Sequence, residues 1–447
     1  MKKYIIASLA LLFLTACEYK EDPVFDQNPK ERILSSLQNT RKLLEGHDGY
    51  WLLTYYPEDY QEGFWVYPYL STLFPSTINF PKYHRSLGGY NFILKFSEGK
   101  VTASSEVVPT NREETTYYSY NISEFPILSF NTKGNIIHHF FSSTTNYHDA
   151  RGGEVDFFID KVEKETFTLR GKRNANIMTL SKLTTDRETF LNKIRENRDK
   201  LFGKGLSPIS IGGTQVKLEL FPTTRQIAFL YENDTKYQQQ AFIVTEKGIK
   251  FYEPAEINGV KIEELYFNED KSALATPDGA ISTSLVSSPI EIRTNSRWVM
   301  LQDYYASQTY IDIYNQLKHQ IENGKWRNYS LNNYLQFRVI QKGNDQPTAT
   351  AITLSVANIN PRTGNRINYV VDYEADFVPV PGHPNQLQIF LKDPNLANGW
   401  WQYFPYLSPI LEEVVNNAPY EISDSFDSYY YQLTSVKDRN FFISLSK

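Results

Sequence analysis

The feature that most restricts what this chain can fold into is a pattern that recurs along it. A stretch with apolar residues at helical spacing is followed by many short stretches in which apolar and polar residues alternate, parted by turn residues. Alternation with a period of two belongs to half-buried strands. Short connections between successive strands leave only antiparallel neighbours, because parallel pairs need a long crossover. The expected fold is mainly β with flanking helices, made of antiparallel meanders that each follow a helix.

The first unit, residues 29–184, opens at Asn28, a good N-cap, with Pro29 at the first helical position and Glu31 completing a capping-box-like pair. Ile33, Leu34, Leu37, Leu44 and the stem of Arg41 fall on one stripe, and Gly46 ends the helix. Strands are expected at Trp51 to Tyr56, Tyr90 to Phe96, Lys100 to Ser105, Thr115 to Tyr120, Ile127 to Asn131, Ile136 to Phe141, Val155 to Ile159, Thr166 to Gly171 and Ile177 to Leu183. Roughly eight or nine strands are enough to curl into a barrel or sandwich. A lipocalin-like barrel with its helix packed at one end is the expected form.

The second unit, residues 185–300, starts with a helix capped by Thr185 with Glu188 at its third position. Phe190, Leu191, Ile194, Leu201 and Phe202 form its buried stripe, and Gly203 stops it. Strands follow between Val216 and Thr276. The third unit, residues 301–447, carries a helix from about Tyr310 to Asn323 with Tyr310, Ile313, Leu317 and Ile321 in register. It continues through strands from Tyr334 to Leu391, a short helix near Ser408-Pro409, and a closing hairpin from Tyr429 to Leu445. The chain thus divides into two or three domains, according to whether the last two units pack as one.

Composition narrows the function. Tyr (32) and Phe (28) make the chain rich in rings that favour pleated, half-buried surfaces and also suit a ligand-facing one. Charge is near balance, at −5, with no Lys/Arg block, so nucleic acid is not an expected partner. A single Cys excludes an intramolecular disulfide and a Cys-ligated zinc, so stability must come from the cores alone.

That Cys is Cys17. Lys2 and Lys3 precede an apolar run from Tyr4 to Leu14 that is too short to span a bilayer, and Leu14-Thr15-Ala16-Cys17 has the pattern of a bacterial lipobox. Residues 1–16 are therefore expected to be a cleaved signal peptide, and residues 17–28 a tether lipidated at Cys17. Three acyl chains at about 0.8 kcal/mol per buried CH₂ would make a permanent membrane anchor. Lys20-Glu21-Asp22 resembles the export signal of surface lipoproteins in bacteria that build SusC/SusD-type importers, where it sends them to the outer leaflet of the outer membrane. The alternative is a solvated acidic tether. No later segment is long and apolar enough to cross a membrane.

Gly49-Tyr-Trp-Leu-Leu, Gly88-Gly-Tyr-Asn-Phe-Ile-Leu-Lys-Phe96, Leu169-Arg-Gly-Lys-Arg-Asn-Ala-Asn-Ile-Met178 and Ala241-Phe-Ile-Val-Thr-Glu-Lys-Gly-Ile-Lys-Phe-Tyr-Glu-Pro254 resemble landmarks of one lipoprotein family, domain of unknown function 4302. The resemblance covers most of the mature chain. It implies a context, namely SusC/SusD-type importers and zinc metallopeptidases found beside such lipoproteins, and it supplies no reaction and no catalytic residue.

Patterns for catalysis are missing: no His-Glu-x-x-His, no Gly-x-Ser-x-Gly, no phosphate-binding Gly loop. His138-His139 with His148-Asp149 is the best metal candidate, but neighbours on a strand point to opposite faces, so no metal or other cofactor is expected. Glu263-Glu264 and Glu412-Glu413 read as solvated faces for the same reason. Two aromatic clusters stand out instead. Trp65, Tyr67 and Tyr69 lie in a proline-studded stretch between Tyr55 and Tyr83 without helix or strand period, and such long segments are often functional. These rings either face a ligand or close one end of the barrel. Trp400 and Trp401 are adjacent, so one of them is a candidate for exposure or for an interdomain contact. The function expected is non-catalytic capture of a glycan, peptide or small nutrient for a TonB-dependent importer. The alternatives are an accessory subunit of a lipoprotein/importer complex without a ligand, and a hydrolase whose site the sequence does not reveal.

Overall fold

The computed structural model describes residues 29–446 apart from 58–59, 63–82, 86, 123–124, 143–151, 223, 233–235, 289–291, 293–296, 300–304, 324–328, 342–347, 361, 393–406 and 426–429. After helix α1 (Pro29–Glu45) the chain builds β1 (Trp51–Tyr55), a small hairpin of β2 (Tyr60–Glu62) and β3 (Tyr83–Arg85), then β4 (Tyr90–Ser97), β5 (Lys100–Ser105), β6 (Glu114–Ile122), β7 (Pro126–Phe130), β8 (Asp156–Glu163), β9 (Thr166–Gly171) and β10 (Ile177–Lys182). Strands β4 to β10 run as an antiparallel meander, and β1 pairs with both β4 and β10 to close an eight-stranded barrel. Alternation does the sorting: in β10 Met178 and Leu180 turn inward, while Ile177 is exposed. Trp51, Phe92, Phe96, Phe157 and Phe167 fill the interior, each ring contributing about 1.5–3 kcal/mol by leaving water. Helix α1 closes the lower mouth. Its Leu44 is buried and accepts a hydrogen bond from Trp51 Nε1 at 3.1 Å.

Helix α2 (Arg187–Leu201) leads into β11 (Lys204–Leu206), β12 (Ile209–Ile211), β13 (Thr214–Phe221), β14 (Gln226–Tyr231), β15 (Lys236–Val244), β16 (Gly248–Ile257), β17 (Val260–Phe267), β18 (Ala273–Ala275) and β19 (Ser282–Ser287). These form one nine-stranded antiparallel sheet with β11 at one edge and β12 at the other. Only Ser207 and Pro208 separate those two edge strands, so the sheet wraps round until its ends meet. The last sheet comprises β20 (Arg297–Trp298), β21 (Tyr329–Gln341), β22 (Thr348–Ile359), β23 (Arg366–Val380), β24 (His383–Leu391), β25 (Tyr420–Asp424), β26 (Tyr430–Ser435) and β27 (Phe442–Ser446). Bridges Val299–Leu445 and Ala306–Ile443 draw its ends together. Helix α3 (Gln308–Asn323) buries Tyr310, Tyr314, Leu317 and Ile321 against this sheet, beside the short helix α4 (Ser408–Asn416). Mainly β, antiparallel, multi-domain and helix-prefixed, the architecture is the one the sequence pattern predicts.

Each sheet has its own hydrophobic core, and the cores are interlocked. Ile93, pointing outward from β4, is fully buried in the core of the second sheet. Ile243 of β15 is buried in the core of the first barrel, and Phe202, just past α2, in that of the third sheet.

Several local expectations are corrected. Ile136 to Phe141 is a run of tight turns, not a strand. His138 Nδ1 accepts from Gly134 N at 3.0 Å, a local bond, and Glu114 Oε2 of β6 accepts from Ile136 N at 2.8 Å, so side chains take backbone donors that a ladder would use. Helix α2 is capped by Asp186, not Thr185: the Asp186 carboxylate accepts from Thr189 N at 3.0 Å. On α1, Leu34 is 48% exposed and Arg41 also faces solvent, so the buried contact rests on Leu44 and Thr40. In α3 Tyr314 takes the inward place expected of Ile313, which is half-buried. The stretch from Tyr55 to Tyr83 is not wholly aperiodic, because β2 and β3 pair at its base. Strands β11, β12 and β19 were not expected either. The first two have three residues each, and β19 is dominated by Ser and Thr.

Candidate functional site

Antiparallel order places the ends of β1, β5, β7 and β9 at one mouth of the first barrel, opposite α1. That mouth is closed by Phe140. Its ring lies 4.5 Å from that of Tyr90, 5.8 Å from Tyr55 and 6.3 Å from Phe92, centroid to centroid. The turns that carry it are pinned at Gly153, where a Cβ would come within 2.3 Å of Phe141 N, so only glycine fits. Tyr55 Oη, donating to Glu154 O at 3.1 Å, ties the same segment to β1. Burial pushes the Glu154 carboxyl above the usual carboxylate range.

Beside the plug opens a cleft of about 490 Å³ lined by Phe130, Lys133, His138, Phe141, Val155 and Asp156. Phe141 is 40% exposed and forms an apolar wall. Lys133 is exposed and has no ion-pair partner among the described residues, whereas Asp156 sits 3.7 Å from Lys172. His138 is buried, and its partners fix its chemistry. Gly134 N–H can only donate, so Nδ1 is unprotonated; Nε2, 3.1 Å from the carbonyl of Phe130, carries the proton. Burial lowers its pKa in the same direction. With both nitrogens engaged, His138 is a structural residue and not a metal ligand. His139 packs on the Phe140 ring at 4.9 Å. Among the described residues no three His, Cys, Asp or Glu side chains converge as a metal site. Glu263 and Glu412 are exposed, while Glu264 and Glu413 are half-buried with local partners: Tyr266 Oη donates to Glu264 and Asn417 Nδ2 to Glu413.

The same mouth is welded to the second sheet. Gly88 N donates to Thr224 O at 2.8 Å and Gly89 N to Phe242 O at 2.9 Å. A Cβ on Gly88 would lie 2.3 Å from Phe242 O, and one on Gly89 2.6 Å from the Tyr56 ring. Arg225 and Glu106, both 0% exposed, join across this contact through Nη2–Oε2 at 2.7 Å and Nη1–Oε1 at 3.1 Å. Arg225 Nη1 also donates to Gly89 O at 2.6 Å, and its guanidinium lies 4.0 Å from the Tyr90 ring centre. Asn91 gives Glu106 Oε1 two further bonds, both 2.8 Å. Burial alone would push the Glu106 carboxyl up, but Arg225 and these donors hold it below the usual range. Asp424 of the third sheet adds its field to that of Glu106 in keeping Arg225 charged. Arg225 holds φ at +56°, a left-handed conformation uncommon for a side-chain-bearing residue.

None of the site residues expected from the sequence can be placed here. Cys17, Lys20, Glu21, Asp22, Trp65, Tyr67, Tyr69, His148, Asp149, Trp400 and Trp401 lie outside the described residues. Conversely, sequence reasoning missed Phe140, Glu106 and Arg225. Only the Gly88-Gly89 pair signalled a close backbone approach at this place.

Tandem antiparallel meander sheets with side-chain-filled cores, introduced by helices and fused through buried charge, define a β-rich multi-domain scaffold with a cleft at one barrel mouth. The chain belongs to the family described as Domain of unknown function (DUF4302), whose model matches residues 21–269. That span takes in the whole first barrel and most of the second sheet. No curated protein matches the chain.

Proposed function

We propose that this protein is a lipid-anchored component of the outer-membrane surface that captures a ligand, unchanged, for a SusC/SusD-type importer. The observation that carries the reading is the plugged mouth. Phe140 and the rings beneath it leave no room for a ligand inside the barrel, unlike a lipocalin that holds one. A ligand would be met outside, in the cleft beside Phe141, at the same barrel end from which the β2–β3 hairpin departs. Trp65, Tyr67 and Tyr69, which lie outside the described residues, would add their rings to such a surface, and Trp400 and Trp401 are a second aromatic candidate. Cys17 would carry the anchor and Lys20-Glu21-Asp22 the surface-export signal. The ligand would be a glycan, peptide or small nutrient.

A second reading, an accessory subunit without a ligand, draws on the outer barrel wall. There Phe125 and Ile177 are exposed and Arg170 stacks on Phe158 at 4.8 Å. Co-purification of the tagged full chain, with mass spectrometry of proteins and released small molecules, separates the two. Capture predicts a ligand that is lost in a Phe141→Ala, Lys133→Ala variant of unchanged melting temperature. Recovery of an importer with no ligand favours the accessory role, and turnover of a surface polymer by the pure protein would sink both in favour of an enzyme. Cys17→Ala should abolish acyl labelling. Replacing Lys20, Glu21 and Asp22 by Ala should leave an anchored protein that protease added to intact cells no longer reaches.

A further inference from the structure

We propose that a second groove, at the α1 end of the first barrel, binds a neutral sugar. It is an opening of about 380 Å³ between α1 and β6, lined by Leu37, Gln38, Arg41, Gly99, Tyr118 and Tyr120. That volume lies within the range of small-ligand sites, and tyrosine rings with polar edges are the usual floor for a ring that is apolar on its faces and polar on its rim.

The donors of the groove are fixed in advance. Arg41 is 57% exposed, and its Nε donates to Glu45 Oε2 at 3.1 Å. The same guanidinium also interacts with Tyr118, so it is held from two sides. Glu45 is itself held, because Oε1 accepts from Gly99 N at 2.8 Å and from Tyr118 Oη at 2.7 Å. Tyr118 in turn packs edge-on against Phe96 at 4.9 Å. The guanidinium is thus aimed before a ligand arrives, which reduces the entropy lost on binding. Ser119 lies on the groove's rim, and its hydroxyl accepts from Asn131 Nδ2 at 2.7 Å and Asn121 Nδ2 at 3.2 Å. Gln38 is exposed and adds an amide.

Charge decides between an acidic and a neutral ligand. Arg41 and Glu45 form a pair of zero net charge, so a carboxylate drawn to the guanidinium would be repelled by Glu45 a few ångströms further on. A hydroxyl carries no such penalty: it can accept from Arg41 while a neighbouring hydroxyl donates to the Gln38 carbonyl. The groove lies at the opposite end of the barrel from the Phe141 cleft, and the proposal does not rest on that cleft.

The test is calorimetric titration of the full chain, purified in detergent, with neutral gluco-, galacto- and manno-oligosaccharides and with a glucuronate-containing one. A neutral sugar should bind, and Gln38→Ala and Tyr120→Ala should each weaken it about tenfold or more, that is by about 1.4 kcal/mol. Gln38 is exposed, so its variant folds even if Tyr120→Ala does not. Three results would overturn the proposal. One is no neutral sugar bound up to about 10 mM. Another is tighter binding of the glucuronate, abolished by Arg41→Met. The third is sugar binding that survives both variants and is lost in Phe141→Ala.

Discussion

Arg225 shows how much one residue can fix. Removing either member of a buried, hydrogen-bonded pair strands the other charge, at a cost of about 3–5 kcal/mol, whereas replacing both by apolar residues of similar size is often neutral. Glu106→Gln and Arg225→Met should therefore each lower stability strongly, and Glu106→Leu with Arg225→Met should recover much of the loss, as read by urea unfolding. Equal losses in single and double variants would mean that the pair contributes only through packing. His138 makes a pH prediction. Its folded pKa is depressed, so the neutral form is favoured in the native state. The stability this contributes is present above the unfolded value near 6.5, and is lost as pH falls through it toward the folded pKa. His138→Gln can keep both hydrogen bonds without titrating. Its stability should fall less than wild type between pH 7.5 and 5.5, ranges set by that ordinary His pKa. An identical slope in both proteins would show that His138 is protonated without cost.

At the scale of elements, the turn segment 131–142 is the part that departs most from its sequence pattern. Ile136, Ile137 and Phe140 are buried as a strand's residues would be, yet the backbone turns repeatedly so that one ring reaches the barrel axis. Truncating Phe140 should cost about 3–5 kcal/mol by leaving a cavity among Tyr55, Tyr90 and Phe92. Phe141→Ala, one residue on, should stay within about 0.5 kcal/mol. Thermal unfolding of the pair checks this, and a large loss at Phe141 would move it from cleft to core. Strands and helices were legible because Met178, Leu180 or Phe190, Leu191, Ile194 announce their faces locally. Phe140, Glu106 and Arg225 were not, because each owes its role to a partner far along the chain; Glu106 and Arg225 are 119 residues apart. The left-handed turn at Arg225 has no local signature, since glycine or asparagine is the residue expected there.

For the whole molecule, Ile93, Ile243 and Phe202 each sit in a core that belongs to another sheet. The sheets should therefore unfold together, in one calorimetric transition. A fragment ending at residue 184 would expose Ile93 and leave Glu106 without Arg225. It should fail to give dispersed NMR spectra, and a well-folded fragment would refute the coupling. A fragment ending at 269, where the family match stops, lacks β18 and β19 and so removes the partner of β11.

The Ser207–Pro208 link between β11 and β12 has another consequence, for solubility. An open sheet of nine strands presents two rows of unpaired backbone groups on which a second chain can grow by strand addition. Here those rows face each other across two residues, one of which, Pro208, has no N–H to offer. A neighbouring molecule finds no template at that seam, so this sheet can be crowded without stacking edge to edge on another copy.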